Sequence, residues 1–249
     1  MATNKKLNFG LLGKNIDYSF SPGYFTKKFE RENLPHCSYR NFDCATVEEV
    51  LSTIQRKDLK GLNVTIPYKE AVIPAMDTLS PTASAIGAVN TILFTEDGKR
   101  IGDNTDAYGF ERALFDQYNG RPQKALILGT GGASKAVAYV LRKRGIIPQY
   151  VSRKATENAI DYTALTDELI NAHQLIINCT PLGTFPDIEQ APPINYEAIS
   201  EQHFLFDLVY NPAETRFLQL GKKQGAGTAN GSDMLVHQAN RSWALWMEQ

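Results

Sequence analysis

The feature that most constrains the fold is a glycine-rich turn placed between a buried strand and a helix. The stretch KALILGTGGASKAVAYVLRKRG begins at Lys124 with an apolar run and continues at once into Gly129, Gly131 and Gly132. Glycines permit a tight turn and close approach of the backbone to a ligand, and the N-terminus of the next helix stabilises a pyrophosphate. The stretch therefore predicts a dinucleotide-binding strand–turn–helix unit. A plain glycine turn before a helix stays open as the alternative.

The residues that follow this unit favour NADP as its ligand. The third small position of the fingerprint holds Ser134 instead of Gly or Ala, a mild departure. The next predicted strand, PQYVS, leads into Ser152, Arg153 and Lys154, where an NAD-binding chain places an acidic residue for the ribose hydroxyls. A guanidinium and an ammonium pair with a 2′-phosphate, which a carboxylate would repel. A solvated basic turn is the other interpretation.

Strand-like and helix-like stretches alternate along the whole chain, which is typical of an α/β architecture. The clearest are a strand at 7–12, a helix at 22–33 with Ser21 as N-cap, a helix with a Thr46–Glu49 capping box, a hairpin turn at Asp97-Gly98, and a helix at 232–247. A new strand–helix–strand pattern starts at Lys124 and runs towards residue 230. We therefore expect two domains with a boundary near residue 105.

Composition excludes several classes of partner. The 249 residues carry 26 Lys+Arg against 27 Asp+Glu, so no global positive field exists to bind nucleic acid or an anionic membrane surface. The three cysteines, Cys37, Cys44 and Cys179, are odd in number and lack metal-type spacing, which fits structural thiols in a reducing compartment and predicts no metal site. The apolar run at 7–12 is too short for a signal peptide or a membrane span. We expect a soluble, cytoplasmic protein.

The stretch LNVTIPYK raises the question of what Lys69 does. Leu62, Val64 and Ile66 alternate with polar residues, which predicts a strand with one apolar face that Pro67 ends. Lys69 then follows at the exit of the strand, where α/β enzymes tend to place reactive groups. Lysine is also a common solvated surface residue, so both interpretations stay open on local evidence.

Three further stretches place polar groups beside predicted strands, namely YSFSP, GAVNTI and GDNTDAYG. In an extended segment Ser19 and Ser21 point to the same side, so both hydroxyls can donate to one carboxylate. The alternative is that Ser21 only caps the following helix. Asp106 in the third stretch is open to a similar alternative, a carboxylate that favours the start of a helix.

Together these stretches resemble the motifs of the shikimate dehydrogenase family, and the likeness extends over nearly the whole chain. The matching segments are Ser19-x-Ser21-Pro22, Asn63 to Lys69, Gly87 to Thr91, Asn104 to Asp106, TPLG at 180–183, DLVYNP at 207–212 and MLVHQA at 234–239. Two departures stand out. The residue before the first serine is often His in the family and is Tyr18 here, and Glu157 stands where some members carry a second basic residue, so Lys154 would supply that charge.

The resemblance implies a two-domain enzyme that reduces 3-dehydroshikimate to shikimate with NADPH. It implies an N-terminal α/β substrate domain at 1–104, a Rossmann-type doubly wound NADP-binding domain at 105–231, a cleft between them, and a last helix, 232–249, that packs back on the first domain. Lys69 and Asp106 match the family's catalytic pair. The substrate positions matched are Ser19, Ser21, Asn63, Thr65, Asn90, Tyr210 and Gln238. The cofactor positions matched are Gly129, Thr130, Gly131, Gly132, Ala133, Ser152, Arg153, Lys154, Leu208 and Gly231.

The chemistry of this pair is consistent with ketone reduction. Hydride delivery to a ketone leaves an alkoxide, and an ammonium within hydrogen-bond reach can protonate it while a nearby carboxylate favours the charged amine. Two rivals stay open: an NAD-dependent quinate or shikimate dehydrogenase on the same fold, and a non-catalytic ligand-binding relative. We expect a small-molecule substrate as the partner and a monomer or homodimer.

Overall fold

The structure is a computed structural model that describes residues 6–17 and 19–248. The chain forms two compact units. The first unit runs up to Thr105 and takes in the chain from Ala239 onwards, and the second unit runs from Asp106 to Gln238. Each unit is built on a six-stranded sheet. The α/β class that the alternating pattern predicts is therefore confirmed.

The first unit carries a mixed sheet. Its strands are β1 (Leu7–Gly13), β2 (Cys37–Asp43), β3 (Leu59–Val64), β4 (Thr78–Leu79), β5 (Thr91–Phe94) and β6 (Arg100–Asp103), in the order β2-β1-β3-β5-β6-β4. Its helices are α1 (Phe20–Arg31), α2 (Val47–Ile54) and α3 (Pro81–Ile86), with a 3-10 turn at Ile73–Ala75. Strands β1, β2 and β3 are parallel, and β5 is antiparallel to β3 and β6. The carboxyl ends of β1, β3 and β6 therefore share one edge with the start of β5.

The second unit carries a parallel sheet of Rossmann type. Its strands are β7 (Lys124–Leu128), β8 (Ile147–Ser152), β9 (Ala159–Asp161), β10 (Leu175–Asn178), β11 (Phe204–Asp207) and β12 (Gly227–Ala229), in the order β12-β11-β10-β7-β8-β9. The helices of this part of the chain are α4 (Thr105–Gln117), α5 (Gly132–Lys143), α6 (Asp167–Asn171), α7 (Arg216–Lys223) and α8 (Ser232–Met247), with 3-10 turns at Tyr162–Ala164 and Tyr196–Ala198. Strand order reverses at β7, whose two neighbours are β8 and β10. That reversal marks the switch point where such sheets bind nucleotides.

The start of α1 differs from the sequence prediction. The helix begins at Phe20 with Ser19 at the N-cap position, two residues earlier than predicted, so Ser21 is not the cap. Pro22 then stands at the third helical position. The N–H that proline lacks is still one of the unpaired donors of the first turn, so Pro22 does not fix where the helix starts.

Other local signals are confirmed. Helix α2 begins after Thr46, whose hydroxyl accepts from the Glu49 N–H at 3.3 Å. The Glu49 carboxylate reaches back to the N–H of Ala45 at 2.7 Å, one residue before the cap. Gly98 has a φ of 82° in the turn between the antiparallel strands β5 and β6, as the Asp-Gly signal predicts.

The sheet of the first unit is covered by apolar side chains on both faces. One face holds Leu12, Leu62 and Ile92, packed against residues of α2 and α3. The other face holds Phe9, which stacks on Trp246 of α8 at 4.9 Å between ring centroids. The Trp246 indole N–H donates to the Ile92 carbonyl at 3.0 Å. This last part of the chain is thus fixed to the sheet by both burial and a buried hydrogen bond.

Candidate functional site

The polar motifs of the first unit meet at one edge of its sheet. Asn63 of β3 pairs across the ladder with Thr91 of β5, and Thr91 pairs with Asp103 of β6. Because β5 runs antiparallel to both neighbours, the NVT and GDN segments lie beside the end of the GAVNT segment, where β5 begins. Sheet topology therefore brings together three motifs that are far apart in the sequence.

The strand of the NVT motif is shorter than predicted. β3 ends at Val64, and Ile66 is 73% exposed instead of sharing the buried face of Leu62 and Val64. The chain turns at this point, since the N–H of Tyr68 donates to the Thr65 carbonyl at 3.0 Å. The period-two alternation therefore stops after Val64, and the prediction for Ile66 is wrong.

Lys69 follows this turn, and its backbone is anchored. Its carbonyl oxygen accepts from the N–H of Val89 at 2.8 Å. The preceding residue, Tyr68, is buried, and its hydroxyl donates to the Cys44 carbonyl at 2.7 Å. These two bonds hold Lys69 beside the GAVNT segment. Its catalytic role stays a prediction.

Asn90 lies at the start of β5 with its side chain buried, and its amide orientation is fixed. Its Oδ1 atom accepts from the Thr105 N–H at 2.7 Å and from the hydroxyls of Thr105 and Thr91, both at 3.1 Å. A backbone N–H can only donate, so the amide oxygen must face these groups and the Nδ2 group must face the other way. The protein therefore sets the orientation of this amide.

Asn63 is held from both ends of its amide. Its Oδ1 accepts from the Tyr39 hydroxyl at 2.9 Å, and its Nδ2 donates to Ser242 at 2.9 Å and to Thr91 at 3.2 Å. Burial raises the pKa of Tyr39 far above its ordinary value, so the phenol stays protonated and remains a donor.

Four residues of this hydrogen-bond network are not among the site residues predicted from the sequence. Thr91 and Thr105 stand inside motifs that the sequence singles out, so proximity to those motifs was an available signal. Tyr39 and Ser242 contact Asn63 from 24 and 179 residues away along the chain. No local pattern indicates contacts at such separations.

The two serines of the SFSP segment do not lie in an extended stretch. Ser19 has an extended backbone at the N-cap of α1, whereas Ser21 lies in the first helical turn. The prediction of an extended segment through both serines is therefore wrong, and the alternation of a strand does not apply to them. Ser21 shares a hydrogen bond with Tyr39, which connects it to Asn63. The departure noted at residue 18 lies outside the described residues.

Asp106 lies in the first turn of α4, where the helix dipole favours a carboxylate. It is 2% exposed, so it is not a solvated helix-start acid. Asn104, just before the helix, donates from Nδ2 to the Ala88 carbonyl at 2.9 Å. The NTD segment is therefore buried and well ordered by its own contacts.

The glycine turn of the second unit has the geometry that its sequence predicts. β7 ends at Leu128, Gly129 follows with a φ of 103°, and Gly131 is the N-cap of α5. That φ lies in the left-handed region, which side chains other than glycine rarely adopt. Ser134 fits the third small position because its buried hydroxyl donates to the Gly131 carbonyl at 2.6 Å. The turn therefore presents backbone N–H groups at a helix N-terminus, with Thr130 exposed and Gly132 and Ala133 partly exposed.

The predicted basic turn lies next to this glycine turn. β8 pairs with β7, and the N–H of Gly129 donates to the Val151 carbonyl at 2.8 Å. The Ser152 hydroxyl donates to the Lys154 carbonyl. Arg153 and Lys154 are exposed at the carboxyl end of β8, as is Glu157. Position and exposure are compatible with binding a 2′-phosphate as well as with a solvated turn.

Buried polar groups shape the loops after β10 and β11, and sequence reasoning missed them too. Asp207 is fully buried and accepts from Thr215 Oγ1 at 2.5 Å, Asn178 Nδ2 at 2.9 Å and the Val209 N–H at 3.0 Å. Burial raises the pKa of Asp207 to about 6, although these three hydrogen bonds oppose the rise. Asn178 Oδ1 in turn accepts from the Thr180 N–H at 2.9 Å.

The remaining predicted residues lie on or next to these loops. Leu208 and Tyr210 follow β11 and are half-buried. The N–H of Gly231 donates to the Val209 carbonyl at 3.2 Å, so residue 231 lies against the segment after β11. Gln238 lies in α8 and is close to Gly109 of α4. A Cβ atom added to Gly109 would lie 3.0 Å from the existing Cβ atom of Gln238.

Two kinds of feature are absent from the described residues. Within residues 6–17 and 19–248, no group of three or more His, Cys, Asp or Glu side chains is arranged to hold a metal ion. None of the helices in the described part of the chain is long and apolar enough to cross a membrane.

Comparison with known proteins identifies relatives along the full chain. Residues 11–92 match the family model described as the shikimate dehydrogenase substrate binding domain. The shikimate dehydrogenase (NADP(+)) of Methanosphaera stadtmanae is 36% identical over 99% of this chain and 93% of that protein. The crystal structure of shikimate 5-dehydrogenase from Thermus thermophilus with NADP(H) and shikimate has a TM-score of 0.86 at 34% identity, covering 98% of this chain and 94% of that one.

One structural neighbour has a different activity in its description. Quinate dehydrogenase from Corynebacterium glutamicum, in complex with NAD, has a TM-score of 0.87 at 26% identity and covers 98% of this chain and 95% of that one. The fold alone therefore does not separate the two activities. The full-length match above 30% identity does decide the family: this chain belongs to the shikimate dehydrogenase family.

Proposed function

We propose that this protein is an NADP-dependent shikimate dehydrogenase that reduces 3-dehydroshikimate to shikimate, reversibly, in the pathway to aromatic amino acids. The observation that carries the proposal is the oriented pair of amides, Asn63 and Asn90, at the sheet edge of a chain 36% identical to an enzyme of that name. Such a pair suits a substrate with several hydroxyl groups, because the protein fixes the orientation of both amides.

The substrate is assigned to the polar residues that match the family's substrate positions. Ser19 and Ser21 are proposed to bind the carboxylate, although their different backbone positions mean that they approach it from different directions. The other proposed substrate residues are Asn63, Thr65, Asn90, Tyr210 and Gln238. The substrate is a small polar anion in this proposal.

Lys69 and Asp106 are the proposed catalytic pair. A reduced nicotinamide supplies hydride to the carbonyl carbon when it is bound. The carbonyl oxygen then takes a proton, and the Lys69 ammonium is the proposed donor. Asp106 is the proposed second member of this pair, acting together with Lys69 in the proton transfer.

The residues around the glycine turn fit NADP. The positive φ of Gly129 and the N-cap position of Gly131 leave backbone N–H groups available to a pyrophosphate at the start of α5. Arg153 and Lys154 provide two exposed positive charges for the 2′-phosphate. Thr130, Gly132, Ala133, Ser152, Leu208 and Gly231 complete the proposed cofactor set.

A second candidate is an NAD-dependent quinate or shikimate dehydrogenase. The observation that favours it is the similarity to a quinate dehydrogenase bound to NAD, together with the acidic Glu157 near the basic turn. The charges of Arg153 and Lys154 favour NADP instead. A non-catalytic relative is the weaker candidate, because both Lys69 and Asp106 are present.

The test is an absorbance assay at the reduced-nicotinamide band with purified protein. Shikimate and quinate are each offered with NADP⁺ and with NAD⁺. We expect shikimate with NADP⁺ to be the fastest pair. A preference for NAD⁺ or quinate would identify the second candidate, and measurable binding of shikimate with no turnover would identify the non-catalytic one.

Three organisational features complete the proposal. The domain boundaries are proposed at 1–104 and 105–231, with 232–249 assigned to the first domain. The compact units, which divide the chain between Thr105 and Asp106 and again between Gln238 and Ala239, support a division of this kind.

A cytoplasmic location is proposed because Cys37, Cys44 and Cys179 are all free thiols. Monomer and homodimer are the proposed states, which sedimentation would distinguish.

A further inference from the structure

Ser242 is a buried hydroxyl in the part of α8 that belongs to the first unit. It is 0% exposed, and its neighbour in the helix, Trp246, packs on Phe9 in the apolar core. Its Oγ atom lies 2.9 Å from Asn63 Nδ2, 3.0 Å from Thr91 Oγ1 and 3.2 Å from Thr105 Oγ1. A buried hydroxyl is costly unless it is hydrogen-bonded, so these contacts decide whether a serine is tolerated there.

Ser242 connects the two amides through hydroxyl contacts. Asn63 Nδ2 is a donor, so Ser242 accepts from it. Ser242 Oγ also lies within hydrogen-bond distance of the Thr91 and Thr105 hydroxyls, and either atom of each pair can be the donor. Both threonine hydroxyls lie 3.1 Å from Asn90 Oδ1. The contacts therefore lead from Asn63 through Ser242 and a threonine to Asn90.

These contacts make Ser242 a link between the two amides of the proposed substrate site. It accepts from the Asn63 amide and contacts both threonine hydroxyls that bond the Asn90 amide oxygen, in addition to the direct link through Thr91. We propose that Ser242 is a positioning residue that fixes the amides of Asn63 and Asn90 for substrate binding. The proposal rests on the proposed function, because it takes both asparagines as substrate residues.

A purely structural role is the competing explanation, and the same helix offers a matched comparison. Asn240 of α8 accepts from the Tyr24 hydroxyl of α1 at 2.7 Å. That bond also ties the last helix to the first unit, but it does not involve Asn63 or Asn90. Ser242 and Asn240 therefore separate positioning of the amides from attachment of the helix.

The experiment compares wild type, Ser242→Ala and Asn240→Ala for shikimate oxidation by NADP⁺, with melting temperatures. We expect Ser242→Ala to raise the KM for shikimate about fivefold to tenfold, the effect of one lost hydrogen bond in a binding group, with the KM for NADP⁺ within twofold. Asn240→Ala is expected to lower the melting temperature while leaving both KM values unchanged. A further pair of variants is Ser242→Thr and Ser242→Val, whose new side chains have nearly equal volume and differ in one hydroxyl group. We therefore expect Ser242→Thr to have a lower KM for shikimate than Ser242→Val.

The outcomes separate this inference from the proposed function. If wild type oxidises shikimate but Ser242→Ala has the wild-type KM, the positioning role is overturned and the function stands. If Thr and Val at residue 242 behave alike, volume rather than the hydroxyl matters, and the role is again overturned. A wild type that neither oxidises nor binds shikimate overturns the proposed function and this inference with it.

Discussion

A Cβ atom on Gly231 would lie 2.3 Å from the carbonyl oxygen of Leu208, closer than real Cβ atoms approach any neighbour. The N–H of Gly231 donates to the Val209 carbonyl, so the two backbones are in direct contact. Only glycine leaves room for this contact. Because Leu208 and Gly231 are both proposed cofactor residues, the glycine sets the path of a segment assigned to NADP.

Gly231→Ala should therefore impair cofactor binding and stability together. The clash is with backbone, which moves less easily than a side chain, so we expect a loss of about 1 to 3 kcal/mol in the free energy of unfolding. The KM for NADP⁺ should rise by about tenfold or more, since a loss of about 1.4 kcal/mol in the free energy of binding already gives that factor. Gly23→Ala is the control, since a Cβ there meets no atom within 4 Å. A normal KM for NADP⁺ in Gly231→Ala would show that this segment does not serve the cofactor.

Signals that depend on a few adjacent residues predicted the structure well. The capping box at Thr46, the Asp-Gly hairpin and the glycine turn at Gly129 each follow from the backbone needs of one turn. The strand of the NVT motif lies where the sequence predicts it, but it is shorter than predicted. Alternation alone does not reveal the turn that the hydrogen bond from the Tyr68 N–H closes. Pro22 predicts a helix that begins at that residue, but the helix begins at Phe20, because any position in the first turn tolerates proline.

Contacts between distant segments were not predictable in the same way. Motifs identify Asn63 and Asn90, but the partners that orient them come from β2, α4 and α8, and the packing of these elements decides those contacts. Asp207 shows the same limit. Its neighbours Asn178 and Thr215 lie 29 and 8 residues away, and nothing local marks the carboxylate as buried.

Removal of the serine hydroxyls should weaken substrate binding. We expect Ser19→Ala and Ser21→Ala each to raise the KM for shikimate by roughly tenfold to a hundredfold, since a hydrogen bond to a carboxylate contributes about 1.5 to 3 kcal/mol. Ser84→Ala, at an exposed serine of α3, serves as the control. Unchanged KM values in both variants would show that the substrate carboxylate does not bind at this end of α1.

Arg153 should decide the choice of cofactor. In Arg153→Asp a carboxylate replaces the guanidinium proposed to bind the 2′-phosphate, so the ratio of kcat/KM for NADP⁺ over NAD⁺ should fall by at least about tenfold. Lys223→Asp makes the same charge change at an exposed site at the end of α7 and should leave the ratio unaltered. If Arg153→Asp also keeps the wild-type ratio, the basic turn is only a solvated surface.

Lys69 should matter for chemistry more than for binding. We expect Lys69→Ala to lower kcat by roughly 10² to 10⁴, the usual span for a general acid or base, with a smaller change in the KM for shikimate. Lys57→Ala removes an exposed lysine of the same unit and should retain full activity. A wild-type kcat in Lys69→Ala would exclude this lysine from proton transfer.

Asp207 should make stability depend on pH in an unusual direction. Its pKa in the folded protein is about 6, above the ordinary value of 3.8, so the folded state binds the proton more tightly than the unfolded state. The stabilisation from this proton is complete below pH 3.8 and is lost as pH rises through about 6, a change of up to about 3 kcal/mol. Asp207→Asn removes the titration. Chemical denaturation of both proteins between pH 4 and pH 7 should therefore show the free energy of unfolding of wild type falling relative to that of the variant as pH rises. Parallel profiles over this range would mean that the carboxyl group titrates alike in the folded and unfolded states, and that its burial beside Asn178 and Thr215 is fully offset by their hydrogen bonds.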